Sequence, residues 1–326
     1  MQPVERVALG RFPRVRWKNA MTQSHAVQQT CLLCGGSLLA YLVRVNDHVT
    51  GEHFDILRCT QCGIGVTDPQ PQDLAPYYRA YYGGRHSFTA AFRAKQRLGL
   101  VRKKTNGRTG RTLLDVGCGE GTFLLAVREE GWIPSGTEMN PDPARTFGLE
   151  VLTELAAFES TREFDCITMW HSLEHLRNPL QVFQTIHRLL KPDGWLFVAV
   201  PDAGGWQARS FGQHWLHLDV PRHLYHYGHR SLRLLHEQGG FQVRDERHQE
   251  FEYDVLGWSQ SALNLVFPTR NLFFRQLTGK AGGTPSVEWA ANWLLGPPLS
   301  VLALPSTWLG TAFKRGGTLI FASQKS

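Results

Sequence analysis

The sharpest chemical pattern in this 326-residue chain is Leu113-Leu-Asp-Val-Gly-Cys-Gly-Glu-Gly121. Two apolar residues and Asp115 run into Gly117, Gly119 and Gly121, and Phe123, Leu124, Leu125 and Val127 follow at helical spacing. That order predicts a buried strand, a glycine turn and a helix N-terminus, where a ligand can lie against bare backbone. The dinucleotide spacing G-x-G-x-x-G would put the third glycine at 122, where Thr122 stands. Asp115 and Glu120 also place negative charge beside a helix end that a pyrophosphate would need positive. A ligand with a sulfonium and an ammonium suits such a turn, which points to S-adenosylmethionine (SAM) rather than NAD. Seventeen residues past Gly121, Trp132-Ile-Pro-Ser-Gly-Thr-Glu138 predicts a second strand ending in an acid placed for a ribose diol. Cys118, within the turn, and Met139, beside the acid, join the expected cofactor site. The alternative is a tight turn with no ligand.

Histidines form the second pattern. His171, Glu174 and His175 follow a strand-like run ending in Trp170, and His214, His217, Asp219, Arg222, His223 and His226 crowd one later loop. His171-x-x-Glu174-His175 matches the H-x-x-E-H pattern of inverted zinc proteases. Pro179 follows too soon for the long helix those enzymes need. Asp219 lies four residues before His223 and could orient its imidazole as an acid orients a general base. Arg222 could meet an anionic acceptor. For any one of these histidines, loop packing or capping is the plainer reading.

Cysteines form the third. Cys31-x-x-Cys34-Gly and Cys59-x-x-Cys62-Gly are two knuckles, each aiming two thiolates at one ion, and together they predict a closed structural zinc site. Disulfides are the competing reading, but no secretion signal is visible. Cys118 and Cys166 read as small buried residues.

These groups need elements to position them. Strand and helix patterns alternate from 112 to about 200, which predicts a parallel sheet with crossover helices. A helix is expected at 229–238, a sixth strand at Phe241–Arg247 and a last strand at Gly317–Ser323. The net charge of +7 is uneven: residues 1–30 carry +4 and residues 79–111 carry +10, leaving the remainder at −7. In the second basic segment, Phe88, Ala91, Phe92, Leu98 and Val101 predict a packed helix face. Arg93, Lys95, Arg97, Arg102, Lys103 and Lys104 would form its basic outer surface, solvated or facing an anionic membrane or phosphorylated substrate. Residues 289–313 carry no charge. Pro297, Pro298 and Pro305 should break any single helix there, so a packed cap over the substrate site is expected, with interfacial membrane insertion and a true span as alternatives.

At these motifs the chain resembles the class I SAM-dependent methyltransferases of the subgroup with an N-terminal four-cysteine zinc ribbon. Phe164-Asp-Cys-Ile-Thr-Met-Trp170 is similar to the family's fourth strand and His171–Pro179 to the segment after it. Leu189-Leu-Lys-Pro-Asp-Gly194 is similar to the turn before the fifth strand, and Asp219-Val-Pro-Arg-His223 to a "D-x-P-R-H" segment of the subgroup. The resemblance implies an α/β, Rossmann-like sheet with an N-terminal zinc ribbon and a helical insertion before the last strand. The expected layout is a basic arm at 1–30, the ribbon at 31–72, a SAM-binding core at 78–255, an apolar helical insertion at 256–315 and the last strand at 316–326.

It also implies SAM as cofactor, held by Asp115, Gly117, Cys118, Gly119, Gly121, Glu138, Met139, Trp170 and His171. Zinc is structural at Cys31, Cys34, Cys59 and Cys62, and His223, His171 and His175 are the catalytic candidates. Some quinone-biosynthesis relatives bind a divalent ion with acids at this segment, where His171 stands instead. The expected reaction is methyl transfer to a small-molecule acceptor (lipid, quinone, sugar or polyketide-like), anionic or lipid-like in character. The setting expected is cytoplasmic, with peripheral membrane contact through 256–315. The alternatives are an rRNA or other nucleic-acid methyltransferase and a SAM-binding scaffold without catalysis. Met-Trp-His-Ser at the fourth strand end argues against base methylation, which goes with N/D-P-P-Y/F there.

Overall fold

The computed structural model describes residues 29–78, 89–106, 109–158, 162–280 and 286–326. Of the expected basic arm, residues 1–28 lie outside that range, as does Phe88. The chain opens with strands β1 (Leu38–Asn46), β2 (His53–Cys59) and β3 (Gly65–Asp68), then helices α1 (Ala75–Tyr78) and α2 (Ala90–Thr105). The strand–helix alternation follows as β4 (Thr112–Val116), α3 (Thr122–Glu129), β5 (Ile133–Thr137), α4 (Asp142–Arg145), β6 (Glu150–Leu152), β7 (Phe164–Trp170), α5 (Pro179–Leu189) and β8 (Leu190–Pro201). After it come α6 (Trp206–Phe211), β9 (Tyr225–His226), α7 (His229–Gln238) and β10 (Phe241–Arg247). Helices α8 (Phe251–Val266), α9 (Leu272–Leu277), α10 (Val287–Leu302) and α11 (Leu304–Ala312) precede β11 (Thr318–Lys325).

Seven strands form one sheet in the order β10-β11-β8-β7-β4-β5-β6. The strands from β8 to β6 are parallel, and β11 runs antiparallel between β8 and β10. Side chains alternate between two apolar layers, as strand geometry requires. Leu113, Cys166, Phe197 and Ile320 face α2 and α3, while Leu114, Ile167, Leu196 and Phe321 face α5 and α7. The Lys191–Gly194 turn sits within β8, where the β7 register slips between Phe164 and Cys166.

Two expectations about helices need correcting. The buried face of α2 is Ala94, Leu98, Val101 and Thr105, and Ala91 and Phe92 are exposed. That rotation turns Arg93 and Arg97 inward, so they are not part of a basic outer surface. Helix α10 runs through Pro297 and Pro298 to Leu302. These prolines delete two backbone N–H donors without ending the helix. The break falls at Ala303, after which Pro305 fits the first turn of α11.

A second sheet, β1-β2-β3-β9, is the small module that carries the cysteines. Its fourth strand belongs to the later histidine loop: Gly65 pairs with His226 and Val66 with Tyr225. Val45, Phe54 and Ile56 of this module pack with Trp215, Leu218 and Val220 of that loop. The module and the loop therefore share one apolar core.

Candidate functional site

The glycine turn leaves β4 at the carboxyl edge of the sheet, where ligands of open α/β sheets lie. None of its three glycines can be replaced without backbone strain, and two would clash as well. Gly117 has φ +82°, and a Cβ there would fall 2.5 Å from Cβ of Ser172. Gly121 caps α3 at φ +84°, with the corresponding position 2.6 Å from Cδ1 of Leu149. Gly119 lies in the same left-handed region but faces open space. Its N–H donates to Oε2 of Glu138 at 2.9 Å, and Met139 N–H donates to Oε1 at 2.9 Å, so the turn and the acid after β5 are locked together. A cavity of about 600 Å³ opens over them, lined by Gly117, Gly119, Glu138, Met139, Ser172 and His171 among others.

The remaining expected cofactor residues stand behind this wall. Asp115 is buried, accepts a 2.6 Å hydrogen bond from Thr168 and is pushed up to about 7 by desolvation. The Cys118 side chain packs beside Gly136. Trp170 is buried between Phe123 and Phe197, with the Arg97 guanidinium 5.0 Å from its ring centroid.

A second cavity, of about 370 Å³, adjoins the first, and His171, His175 and Lys280 line both. Its walls come from distant segments: His48 of the cysteine module, Glu174, His217 and His223, Tyr253 of α8, and Phe274 and Arg275 of α9. His171 takes a left-handed backbone conformation (φ +55°) directly after β7, an uncommon one for a non-glycine residue. Its Nε2 meets Glu250 at 2.5 Å, its Nδ1 lies 3.7 Å from Glu174, and its ring stacks on Tyr253 at 4.2 Å. Burial alone would deprotonate His171, but the Glu250 and Glu174 carboxylates overcome it and hold the imidazolium up to about 10.

His223 is the opposite case. Its Nδ1 donates to the His217 carbonyl at 2.9 Å, which leaves Nε2 as the acceptor, 3.9 Å from Oε1 of Glu174. Burial and the neighbouring His175 depress it to about 4, so it is neutral at physiological pH. Glu174 is buried, and burial would raise its pKa, yet the His171 imidazolium and the nearby imidazoles bring it down to about 2. Neither Glu174 oxygen has a hydrogen-bond partner among the described residues. Its nearest ionisable neighbours are His171 Nδ1 at 3.7 Å and His223 Nε2 at 3.9 Å. His175 stands edge-on to His223, ring centroids 4.6 Å apart, with Nδ1 2.9 Å from the Tyr78 hydroxyl. The ligand atoms of Glu174, His175 and His223 all lie within 4.8 Å of one another, so this donor set could orient an acceptor or hold a divalent ion.

The family described as a methyltransferase domain matches residues 84–246, half of the chain. The chain belongs to the methyltransferase-domain family. A ubiquinone biosynthesis O-methyltransferase of Vibrio cholerae is 37% identical over 113 residues, 31% of this chain and 46% of that protein. One from Haemophilus ducreyi is 34% identical over 119 residues, 32% of this chain and 50% of its own. The chain thus spans about half the length of the curated relatives it matches. The solved structure of a candidate sarcosine dimethylglycine methyltransferase from Galdieria sulphuraria superposes with a TM-score of 0.50 at 16% identity. It covers 77% of this chain and 97% of that one and shares the fold.

Within this methyltransferase fold the cysteine module gathers four thiols at one point. Sγ of Cys31 and Cys62 lie 3.5 Å apart, and those of Cys34 and Cys59 3.4 Å apart. All four sulfurs converge within 4.8 Å, and all four cysteines are free thiols. A tetrahedron of Zn–S bonds of about 2.3 Å has edges near 3.8 Å, so the cluster fits a zinc ion with slight expansion.

The module is tied to the His223 loop by a buried network. Arg222 is fully buried and donates to Asp47 at 2.9 Å, to Asp219 at 2.7 Å and to the Tyr77 carbonyl at 3.1 Å. Thr67 Oγ1 donates to the His223 carbonyl at 2.6 Å. Two expectations are thereby corrected: Arg222 is spent inside the protein rather than on an acceptor, and Asp219 pairs with Arg222 instead of fixing the His223 tautomer, which the His217 carbonyl does.

Sequence reasoning missed Glu250 and Asp47 and gave Arg97 only a surface role. Arg97 Nε donates to Glu250 at 2.8 Å, which holds the acid on His171. The acids at 250, 252 and 254, directly after β10 at the same sheet edge, were the available signal for Glu250.

Proposed function

We propose that this chain transfers a methyl group from SAM to a small-molecule acceptor, with SAM over the glycine turn and the acceptor in the histidine cavity. The observation that carries this reading is the meeting of the two cavities along His171, His175 and Lys280. One cavity presents bare backbone and an acid placed for a diol. The other presents a neutral imidazole beside an ionised carboxylate.

When bound, SAM supplies an electrophilic methyl on a sulfonium. The chain's residues do the rest. Glu138 accepts from the ribose hydroxyls while tethered to Gly119 and Met139. The acceptor's O–H or N–H donates to His223 Nε2, which sets its approach, while Glu174 lies beside that imidazole. His223 Nε2 takes the proton, and the resulting imidazolium is stabilised by Glu174. His171, already protonated on Glu250, cannot act as base; it keeps positive charge near the mouth of β7 and braces Glu174. His175 positions the His223 ring.

The Cys31, Cys34, Cys59 and Cys62 site is assigned a structural zinc that holds the module against the histidine loop. Met169-Trp-His-Ser172 at the end of β7, in place of N/D-P-P-Y/F, favours a small acceptor over a base within a nucleic acid. The test is a methyl-transfer assay against lipid, quinone and sugar acceptors. Transfer to any of these that His223→Ala abolishes supports the reading. Transfer to RNA alone would replace it, and SAM binding with no transfer to any acceptor would leave a scaffold.

A further inference from the structure

Helices α10 and α11 are built inside out. Their inward face, against α8 and α9, carries Asn292, Gly296, Thr307 and Gly310, all buried. Their outward face carries Leu294, Val301, Leu302, Trp308 and Phe313, which are 65–75% exposed. Exposed apolar side chains recur about every seven residues, at Leu294 and Leu295, Val301 and Leu302, and Trp308 and Leu309, so they run along both helices. A helix on a water-facing surface shows the reverse distribution. An exposed apolar patch of this extent marks an interaction surface.

The rim identifies the partner. No charged residue occurs from 289 to 313, and exposed Lys314 and Arg315 close the end of α11. At the opposite end, Glu288 is engaged by Thr269, whose N–H and hydroxyl donate to it at 2.9 and 2.8 Å. The face is therefore apolar with a positive edge. A second copy of the chain would bring the same positive edge and the same lack of an opposing acid. Anionic headgroups over hydrocarbon match both features.

We propose that α10 and α11 seat the protein on an anionic bilayer surface, outward side chains in the acyl boundary and Lys314 and Arg315 among the headgroups. Small inward residues then serve close helix packing: a Cβ on Gly296 would lie 2.5 Å from the Phe273 ring. Through α9, whose Phe274 and Arg275 line the histidine cavity, the docked face is one helix layer from that cavity. Docking itself does not depend on the proposed methyl transfer.

Co-sedimentation of the full chain with vesicles tests it, using phosphatidylcholine alone or mixed equally with phosphatidylglycerol. Wild type should pellet with the mixed vesicles. Val301→Glu combined with Trp308→Glu, and separately Lys314→Glu combined with Arg315→Glu, should each weaken pelleting about tenfold or more. Because all four side chains are exposed, thermal melting of both variants should match wild type. Wild type that stays in the supernatant with mixed vesicles would overturn the proposal. So would a solution dimer, seen by light scattering, that Val301→Glu with Trp308→Glu dissociates, since a second copy would then be what covers the face.

Discussion

The two adjoining cavities are built in opposite ways. The glycine-turn cavity takes most of its decisive surface from one stretch, β4 to the residue after β5, and much of that surface is backbone. The histidine cavity draws on the cysteine module, the segment after β7, the 214–223 loop, α8 and α9, and its surface is side chains held by other side chains. A backbone-built site is set once its strand and turn form. A side-chain-built site depends on every segment that carries a group, which makes it both adjustable and fragile. If this is right, perturbations far from the chemistry should damage the histidine cavity and spare the glycine turn.

Removing the proposed zinc should have the largest effect. Structural zinc sites supply folding free energy outright, about 10–16 kcal/mol of apparent binding in small zinc modules. Metal analysis should find one zinc per chain. Chelation, or Cys31→Ser with Cys59→Ser, should unfold the module, release the Thr67 contact to His223 and abolish turnover. Calorimetric SAM affinity should change little. Full activity without metal would break the link between module and cavity.

Next comes His223→Ala, expected to reduce turnover by about 10²–10⁴-fold at unchanged SAM affinity. With its pKa near 4, the wild-type rate should stay flat through neutrality and fall only in acid, a limb the variant should lack. Near wild-type turnover would remove the base from this position.

Arg222→Ala should destabilise the fold by about 3–5 kcal/mol, because Asp47 and Asp219 are left buried and uncompensated. Denaturant melts would read this directly, and a loss within about 0.5 kcal/mol, the range of ordinary surface substitutions, would mean water already screens the network.

Stability should also depend on pH. His217, His223 and His226, depressed by burial to about 4, 4 and 3, bind fewer protons folded than unfolded, so stability should fall as pH drops below 6.5. His171, raised to about 10, works the other way, its contribution complete below 6.5 and lost as pH rises through 10. Melting temperature should therefore be highest near pH 6.5 and decline on both sides; a monotonic rise into alkali would contradict the His171–Glu250 pair.

The same contrast decides what could be read from residues alone. The strand, turn and helix of residues 112–129, the acid at 138, the strands at 164–170 and 241–247, and the paired cysteine knuckles are local signals, and the structure shows each of those elements. The partners in the histidine cavity are not local. Arg222 and Asp219 look free to work on a substrate until Asp47, 172 residues from the nearer of them, is seen to occupy the arginine. Arg93 and Arg97 look solvated because a basic helix normally is, but Glu252 and Glu250, with the Tyr253 and Trp170 rings, hold them inward. The α10 prolines mislead for another reason: packing against α8 and α9 holds the helix together where propensity alone would end it.

Glu138→Ala tests the division of labour most directly, with SAM affinity measured by calorimetry beside His223→Ala and wild type. Wild type should bind SAM and not NAD. Glu138→Ala should weaken SAM by about 1–3 kcal/mol, the cost of stranding hydrogen-bonded partners, while His223→Ala should not. Unchanged SAM affinity in Glu138→Ala, or tighter binding of NAD than of SAM, would contradict the assignment of the glycine turn.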